Sequence, residues 1–259
     1  MQCDLAARST PGNRYHRNHD AFLMNGIVHQ GSVALSAAHA GSGALVAVAD
    51  GVAAGYCASL ASRTVLSSLD RLYRMDRVLD RHLVRRIQSE LADAAGRRCH
   101  GMATTLAALS VDDQCANVVG VGDSRVYLFR DGLLRQMTQD HTLRAALEDE
   151  AHDVGEDLTG SAWDGLDSCL IADQQEDQFA ICHARYPVQG GDIWLLCSDG
   201  LTASLDDAAL GGVLGSMVDL AAACDRLVHA AVADALNDDN ITVALLRVRA
   251  LGDGVQELS

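Results

Sequence analysis

The chain contains no lysine: all 20 of its basic residues are arginine, set against 35 aspartates and glutamates in 259 residues. That skew reflects coding composition and carries no functional weight. The formal net charge of −15 argues against nucleic acid as a partner, because phosphate neutralisation needs a basic face. It suits a protein that attracts cations. Proline is almost missing, with two residues, and no Ser/Gly/Pro-rich or single-charge block marks a linker. One domain over residues 1–259 is the expectation. No window approaches the roughly 18 uninterrupted apolar residues of a membrane span, and the opening "MQCDLAARSTPGNR" lacks a signal-peptide core. A soluble, cytoplasmic, monomeric protein without membrane contact is expected. Eight cysteines occur, none paired as C-x-x-C. Their scatter through apolar runs, as in "WLLCS", reads as small buried thiols in a reducing cytosol, in preference to disulfides or zinc ligands.

What the chain does have is apolar residues, 49% of the total, arranged with clear periodicity. Short Val/Leu/Ile-rich runs predict strands near 21–28, 44–49, 104–111, 116–121, 125–130, 179–184, 192–197 and 241–248. Asp131-Gly132 is a two-residue hairpin turn. Leu79, Leu83, Ile87 and Leu91 form one apolar stripe, and Val65, Leu69, Leu72 and Tyr73 another. Residues 57–97 therefore read as two helices packed as a hairpin. Further helices are expected near 206–214 and 219–236. Strands in runs and helices in pairs suggest antiparallel sheets covered by helix layers, an α+β arrangement without β-α-β alternation. The acidic segment 150–178 has no periodicity and is expected to be a surface loop.

Three of the apolar runs end in an aspartate: Asp50 after "ALVAVA", Asp123 after "NVVGVG" and Asp199 after "IWLLCS". A fourth, Asp239, stands just before the strand "ITVALLRV". One carboxylate at a strand end is ordinarily a cap or a turn. Four are harder to explain that way, because converging anions repel unless a cation neutralises them. Oxygen donors without cysteine or histidine favour magnesium or manganese over zinc. The glycine after Asp50 leaves a backbone carbonyl uncrowded beside such an ion.

Read together, "GNRYHRNHDAF", "VADGV", "GMATTLAAL", "GVGDSRVYLFRDG", "LRQMTQDHTL", "LLCSDGL" and "DDNITVALL" resemble, in order and spacing, the metal-dependent protein phosphatases of the PPM (type 2C) family, serine/threonine enzymes in bacteria. The resemblance spans residues 12–248. It implies a four-layer αββα sandwich with helix pairs outside two mostly antiparallel sheets. It implies two Mn2+ or Mg2+ ions at the core and a looser third. In that family pattern Asp50 bridges both ions, the Gly51 carbonyl ligates one, and Asp199 and Asp239 complete the shell of the second. Asp123 with Asp199 holds the third, and Asp20 acts at one remove, through water. The implied reaction is hydrolysis of phosphoserine and phosphothreonine by an activated water, without a covalent enzyme intermediate. The implied partners are phosphorylated proteins, above all a bacterial Ser/Thr kinase or its targets.

Three positions depart from the pattern. His19 stands where the first motif has glutamate. Tyr15 stands where the phosphate-gripping arginine is found, which leaves Arg14, with Arg17 on the other side, as the candidate. No histidine follows Asp50 in "DGVAAGYC" to act as a general acid. These departures keep open an alternative, a catalytically weak pseudophosphatase serving as a binding module. A phosphotransferase with an aspartyl-phosphate fits less well, since it wants a D-x-D pair and "VADGV" has one aspartate. His141 is read as structural, residues 150–178 as the family's flap beside the site, and Trp163 within it as a packing residue.

Overall fold

The computed structural model describes residues 1–12, 17–52, 57–143, 145, 165–174 and 179–249. The chain begins with strands β1 (Gln2–Thr10), β2 (Ala21–Met24), β3 (Ile27–Gln30), β4 (Val33–Ala40), β5 (Ala44–Ala49) and β6 (Gly51–Val52). Helices α1 (Ala58–Asp76) and α2 (Arg81–Ala95) follow. Then come β7 (Ala103–Thr104), β8 (Leu106–Val111), β9 (Cys115–Val121), β10 (Arg125–Arg130) and β11 (Leu133–Gln136). The last part holds β12 (Leu170–Ile171), β13 (Cys182–Pro187) and β14 (Ile193–Cys197). It ends with helices α3 (Asp199–Thr202), α4 (Asp207–Gly215) and α5 (Leu220–Val232) and strand β15 (Ile241–Val248).

Two six-stranded sheets carry the fold, ordered β11-β10-β14-β15-β1-β4 and β13-β9-β8-β5-β2-β3, with a small β12-β7-β6 sheet beside them. Their strand pairs are antiparallel. Period-two alternation sorts the side chains into three cores. In β5, Val46 and Val48 face the opposite sheet while Ala47 and Ala49 face helices α1 and α2. In β15, Ala244, Leu246 and Val248 face the opposite sheet while Ile241, Val243 and Leu245 face α4 and α5. Strands buried on both faces read as continuous apolar runs, which is why they stand out in the sequence. The result is the expected αββα layering.

The α1–α2 hairpin forms as the stripes predict, with Val65, Leu69, Leu72, Leu79, Leu83, Ile87 and Leu91 buried against one sheet. Arg77, at φ 54°, ends α1 by donating its N–H to the Tyr73 carbonyl, and the Asp80 side chain opens α2 by accepting from Leu83 N–H. Asp206 and Asp219 cap α4 and α5 in the same way. Among the described residues no helix is long and apolar enough to cross a membrane.

Four sequence expectations change. The run 21–28 is a hairpin, because Asn25 and Gly26 both take positive φ and reverse the chain. The strand expected at 179–184 lies at 182–187, where it pairs with β9. Leu170–Ile171 forms a short strand on β7 within the segment read as a loop, while Trp163 lies outside the described residues. The thiol reading of the cysteines fails at one pair: Cys57 and Cys99 form a disulfide across 42 residues, with Cα atoms 5.7 Å apart. The helical hairpin folds back and returns Cys99 to the start of α1, a proximity that no sequence spacing announces. Cys3, Cys115, Cys169, Cys182, Cys197 and Cys224 take part in no disulfide.

His141 is structural, as expected. Its ring Nδ1 accepts the Gly122 N–H at 3.1 Å, and the His141 main-chain N–H donates to the Gly122 carbonyl at 3.0 Å. Burial holds its pKa below the ordinary value despite the nearby charges of Asp140 and Asp167. The folded chain thus keeps a neutral ring, whereas the unfolded chain protonates below about pH 6.5. The stabilisation is full above that pH and is lost as pH falls toward the depressed folded value. Urea unfolding should show wild type exceeding His141→Ala by roughly 1–2 kcal/mol at alkaline pH, the margin shrinking as pH drops below about 6.5. Leu69, fully buried in the helix-covered core, should cost about 2–5 kcal/mol as Leu69→Ala. Leu133→Ala, at a site 59% exposed, should change stability by less than about 0.5 kcal/mol.

Candidate functional site

Antiparallel pairing gathers the strand ends. The end of β14 lies beside the start of β15, with Cys197 opposite Val243, so Asp199 and Asp239 meet at one edge of their sheet. In the other sheet Ala21 is opposite Ala49, which sets Asp20 beside Asp50. Asp123 lies on the connection that passes from β9 in one sheet to β10 in the other. The two sheets are joined here by Ser198 Oγ, which donates to Asp20 Oδ2 at 2.7 Å. The five aspartates therefore line one end of the seam between the sheets.

Two glycines permit the approach. A Cβ on Gly200 would fall 2.0 Å from the Asn240 carbonyl oxygen, so only glycine lets α3, which begins at Asp199, pack against the start of β15. A Cβ on Gly51 would lie 2.2 Å from the Ala58 carbonyl oxygen. The need for glycine after Asp50 is thus set by the first turn of α1, a different constraint from the open carbonyl that the sequence suggested.

Main-chain and hydroxyl bonds fix the rest. The Asp50 carbonyl accepts from Thr104 Oγ1 at 2.7 Å and from Thr105 N–H at 2.9 Å, and Asp50 N–H donates to Thr105 Oγ1 at 3.0 Å. Thr105 Oγ1 also bonds Ser124 Oγ at 2.7 Å, linking the Asp50 strand to the Asp123 turn. Asn240 Oδ1 accepts from His19 N–H at 2.7 Å, and its Nδ2 donates to the Pro11 carbonyl at 2.8 Å. His19 serves through its main chain, its carbonyl accepting from Ser62 Oγ at 2.6 Å and from Gly51 N–H at 3.3 Å. Ser198, Thr104, Thr105 and Asn240 all lie inside the quoted motifs. Sequence reasoning passed over them because an uncharged hydroxyl or amide advertises no chemistry until its partner is known.

The electrostatics follow from burial. Asp20 is fully buried and the other four aspartates are half-buried, so one side of the group remains open. The charges of Asp20 and Asp199 act on the Asp50 carboxyl. Desolvation, then the charges of Asp20 and Asp199, push its pKa well above the ordinary carboxylate value. Asp199 is raised by burial and by Asp239. Asp20 is pushed up to about 7 by burial, against the bond from Ser198, and Asp123 also to about 7, by burial and Asp199. Asp238, next to Asp239, is exposed. Among the described residues no three of these carboxylates close into a metal cage.

This arrangement fits divalent cations. The inner oxygens Asp20 Oδ1 and Asp199 Oδ1 are buried without a hydrogen-bond partner, a state that bound cations relieve. The donor set is oxygen, which suits magnesium or manganese. Arg14 lies outside the described residues, and Arg17 is exposed. Arg125 is committed to a bidentate pair with Asp140.

Comparison with known proteins agrees with the geometry. The chain is 30% identical over 217 residues to the serine/threonine protein phosphatase PstP of Mycobacterium tuberculosis, a match covering 79% of this chain and 40% of that protein. It thus spans less than half the length of that curated relative. The crystal structure of M. tuberculosis PstP/Ppp superposes with a TM-score of 0.79 at 27% identity, over 96% of this chain and all of that one. The PstP catalytic domain in complex with two manganese ions superposes at 0.75, again at 27% identity, with 96% and 100% of the two chains covered. The sequence model of the family described as Protein phosphatase 2C matches residues 20–238. On fold, carboxylate site and sequence together, this chain belongs to the protein phosphatase 2C family.

Proposed function

We propose that the chain is a metal-dependent serine/threonine protein phosphatase that hydrolyses phosphoserine and phosphothreonine in proteins, opposing a Ser/Thr kinase. The observation that carries this reading is the group of aspartates in which Asp20 Oδ1 and Asp199 Oδ1 are buried without partners and whose other members are only half-buried. Family membership and the likeness to a relative solved with two manganese ions support it. We assign residues 1–259 to one catalytic unit.

Asp50, between Asp20 and Asp199, would hold two manganese or magnesium ions with Asp199, Asp239 and the Gly51 carbonyl. Asp123 and Asp199 would hold a third. Bound cations supply positive charge that neutralises the aspartates, lowers the pKa of a water and stabilises the phosphoryl oxygens. The chain's own residues fix the positions. Thr104 and Thr105 lock the Asp50 main chain, and Ser198 orients Asp20. Gly200 lets Asp199 close on Asp239. Arg14 is assigned to grip the substrate phosphate. With no histidine after Asp50, water is left to protonate the leaving group.

Manganese-dependent hydrolysis of p-nitrophenyl phosphate and of a phosphothreonine peptide is the expected activity. Asp50→Asn or Asp239→Asn should reduce kcat at least about 100-fold, the scale of losing a principal electrostatic contribution. Calorimetry on the same variants should show weakened manganese binding. Full turnover in excess chelator would exclude the proposal. Gly200→Ala should lower kcat and manganese affinity together, because its new methyl group forces α3 away from Asn240.

A further inference from the structure

The disulfide between Cys57 and Cys99 sits where two chain segments converge on Asp50. Cys57 is the N-cap of α1, and the first residue of that helix, Ala58, packs on the Gly51 backbone. Cys99 is anchored by its N–H to the Ala95 carbonyl at the end of α2, and its own carbonyl accepts from Met102 N–H at 2.9 Å. Four residues on, β7 pairs Thr104 with Gly51. Thr104 Oγ1 and Thr105 N–H then donate to the Asp50 carbonyl. One half-cystine thus stands on the segment leaving Asp50, and the other on the segment that binds it. The helical hairpin between them is the whole of the closed loop.

We infer that Cys57–Cys99 is a reversible thiol–disulfide site that sets the order of the Asp50 strand end, and with it cation affinity. The linked form holds Ala58 against Gly51 and β7 against β6. The open form lets the start of α1 move independently of β7, and Asp50 loses its fixed place. Exposure favours reaction at one sulfur: Cys57 is half-buried, whereas Cys99 is 6% exposed. A thiolate of a small or protein dithiol attacks Cys57 Sγ, forming a mixed disulfide. The Cys57–Cys99 bond breaks, and its electron pair leaves on Cys99 Sγ. Arg97 and Arg98 precede Cys99 in the chain, and cationic neighbours favour a departing thiolate. The second thiol of the reagent then displaces Cys57 Sγ and closes the reagent's own disulfide. The two cysteine sulfurs take up the two protons that the dithiol gives up. Two electrons pass from the dithiol to the chain, and the reverse reaction with oxidised dithiol restores the link.

The inference rests on the phosphatase reading for its effects on manganese affinity and turnover, and stands apart from it in its effect on backbone exchange. The full chain is poised in mixtures of reduced and oxidised dithiothreitol, and Cys57 and Cys99 are followed by differential alkylation and mass spectrometry. Each state is then measured for manganese affinity by calorimetry, for hydrogen exchange at the Gly51 and Thr105 amides, and for p-nitrophenyl phosphate hydrolysis. Opening of this pair should weaken manganese binding threefold or more, speed exchange of both amides at least tenfold and lower turnover in parallel. Cys57→Ala/Cys99→Ala should behave as the open form in every mixture. Should that variant fail to fold, wild type in its two states still decides by exchange and calorimetry. Two results would overturn the inference: no Cys57–Cys99 linkage at any poise, or linked and open forms with equal manganese affinity and equal exchange. Absent hydrolysis and absent manganese binding in both states would count against the phosphatase reading alone, since exchange of the Gly51 and Thr105 amides still reports on the disulfide.

Discussion

Carboxylates removed from water beside one another repel, and the polypeptide must hold them together by force of structure. Asp50 is the centre of that conflict, flanked by Asp20 and Asp199 and raised well above its ordinary pKa. Left to themselves such groups would turn out to solvent or take up protons. Turning out to solvent is closed to them here, because they sit on the ends of strands whose side chains are committed to three apolar cores, and the conflict shows instead as raised pKa values. The hydrophobic sandwich stabilises an arrangement that electrostatics alone opposes. Cations would remove the opposition.

The holding is done by groups that carry no charge. Hydroxyls of Thr104, Thr105 and Ser198, the Asn240 amide and the His19 main chain form a lattice that crosses from one sheet to the other. Each bond is modest on its own, about 1 kcal/mol net, but each restricts one more direction in which an aspartate could escape. Gly51 and Gly200 act by what they omit, giving α1 and α3 room to press against the backbone beside Asp50 and Asp239. Behind this lattice, the disulfide at the mouth of the α1–α2 hairpin links the helical layer to the same point.

Much of the fold could be read from periodicity. The stripes from Val65 to Leu91 define the helical hairpin because a helix buries one face and repeats every three to four residues. The runs ending at Asp50, Asp199 and Asp123 stand out because their strands are buried on both faces. The edge strand β4, with its small and polar side chains exposed on alternate positions, was missed for the converse reason. β1 was missed because polar residues interrupt it, although its side chains reach both cores. Asn25-Gly26 inside an apolar run hid a turn, since two short strands and one long one have the same composition.

The sequence by itself determined which residues bear charge, which segments must be buried, and which family pattern they follow. That information is local, carried by side-chain chemistry and by repeats of two and three to four residues. Tertiary structure alone decided that Asp20, Asp50, Asp199 and Asp239, from opposite ends of the chain, share one seam. It also decided that Cys57 pairs with Cys99 and that Gly51 answers to Ala58. Those are contacts between residues far apart in sequence, and antiparallel register and helix reversal, which create them, leave no trace in the spacing of the residues they join.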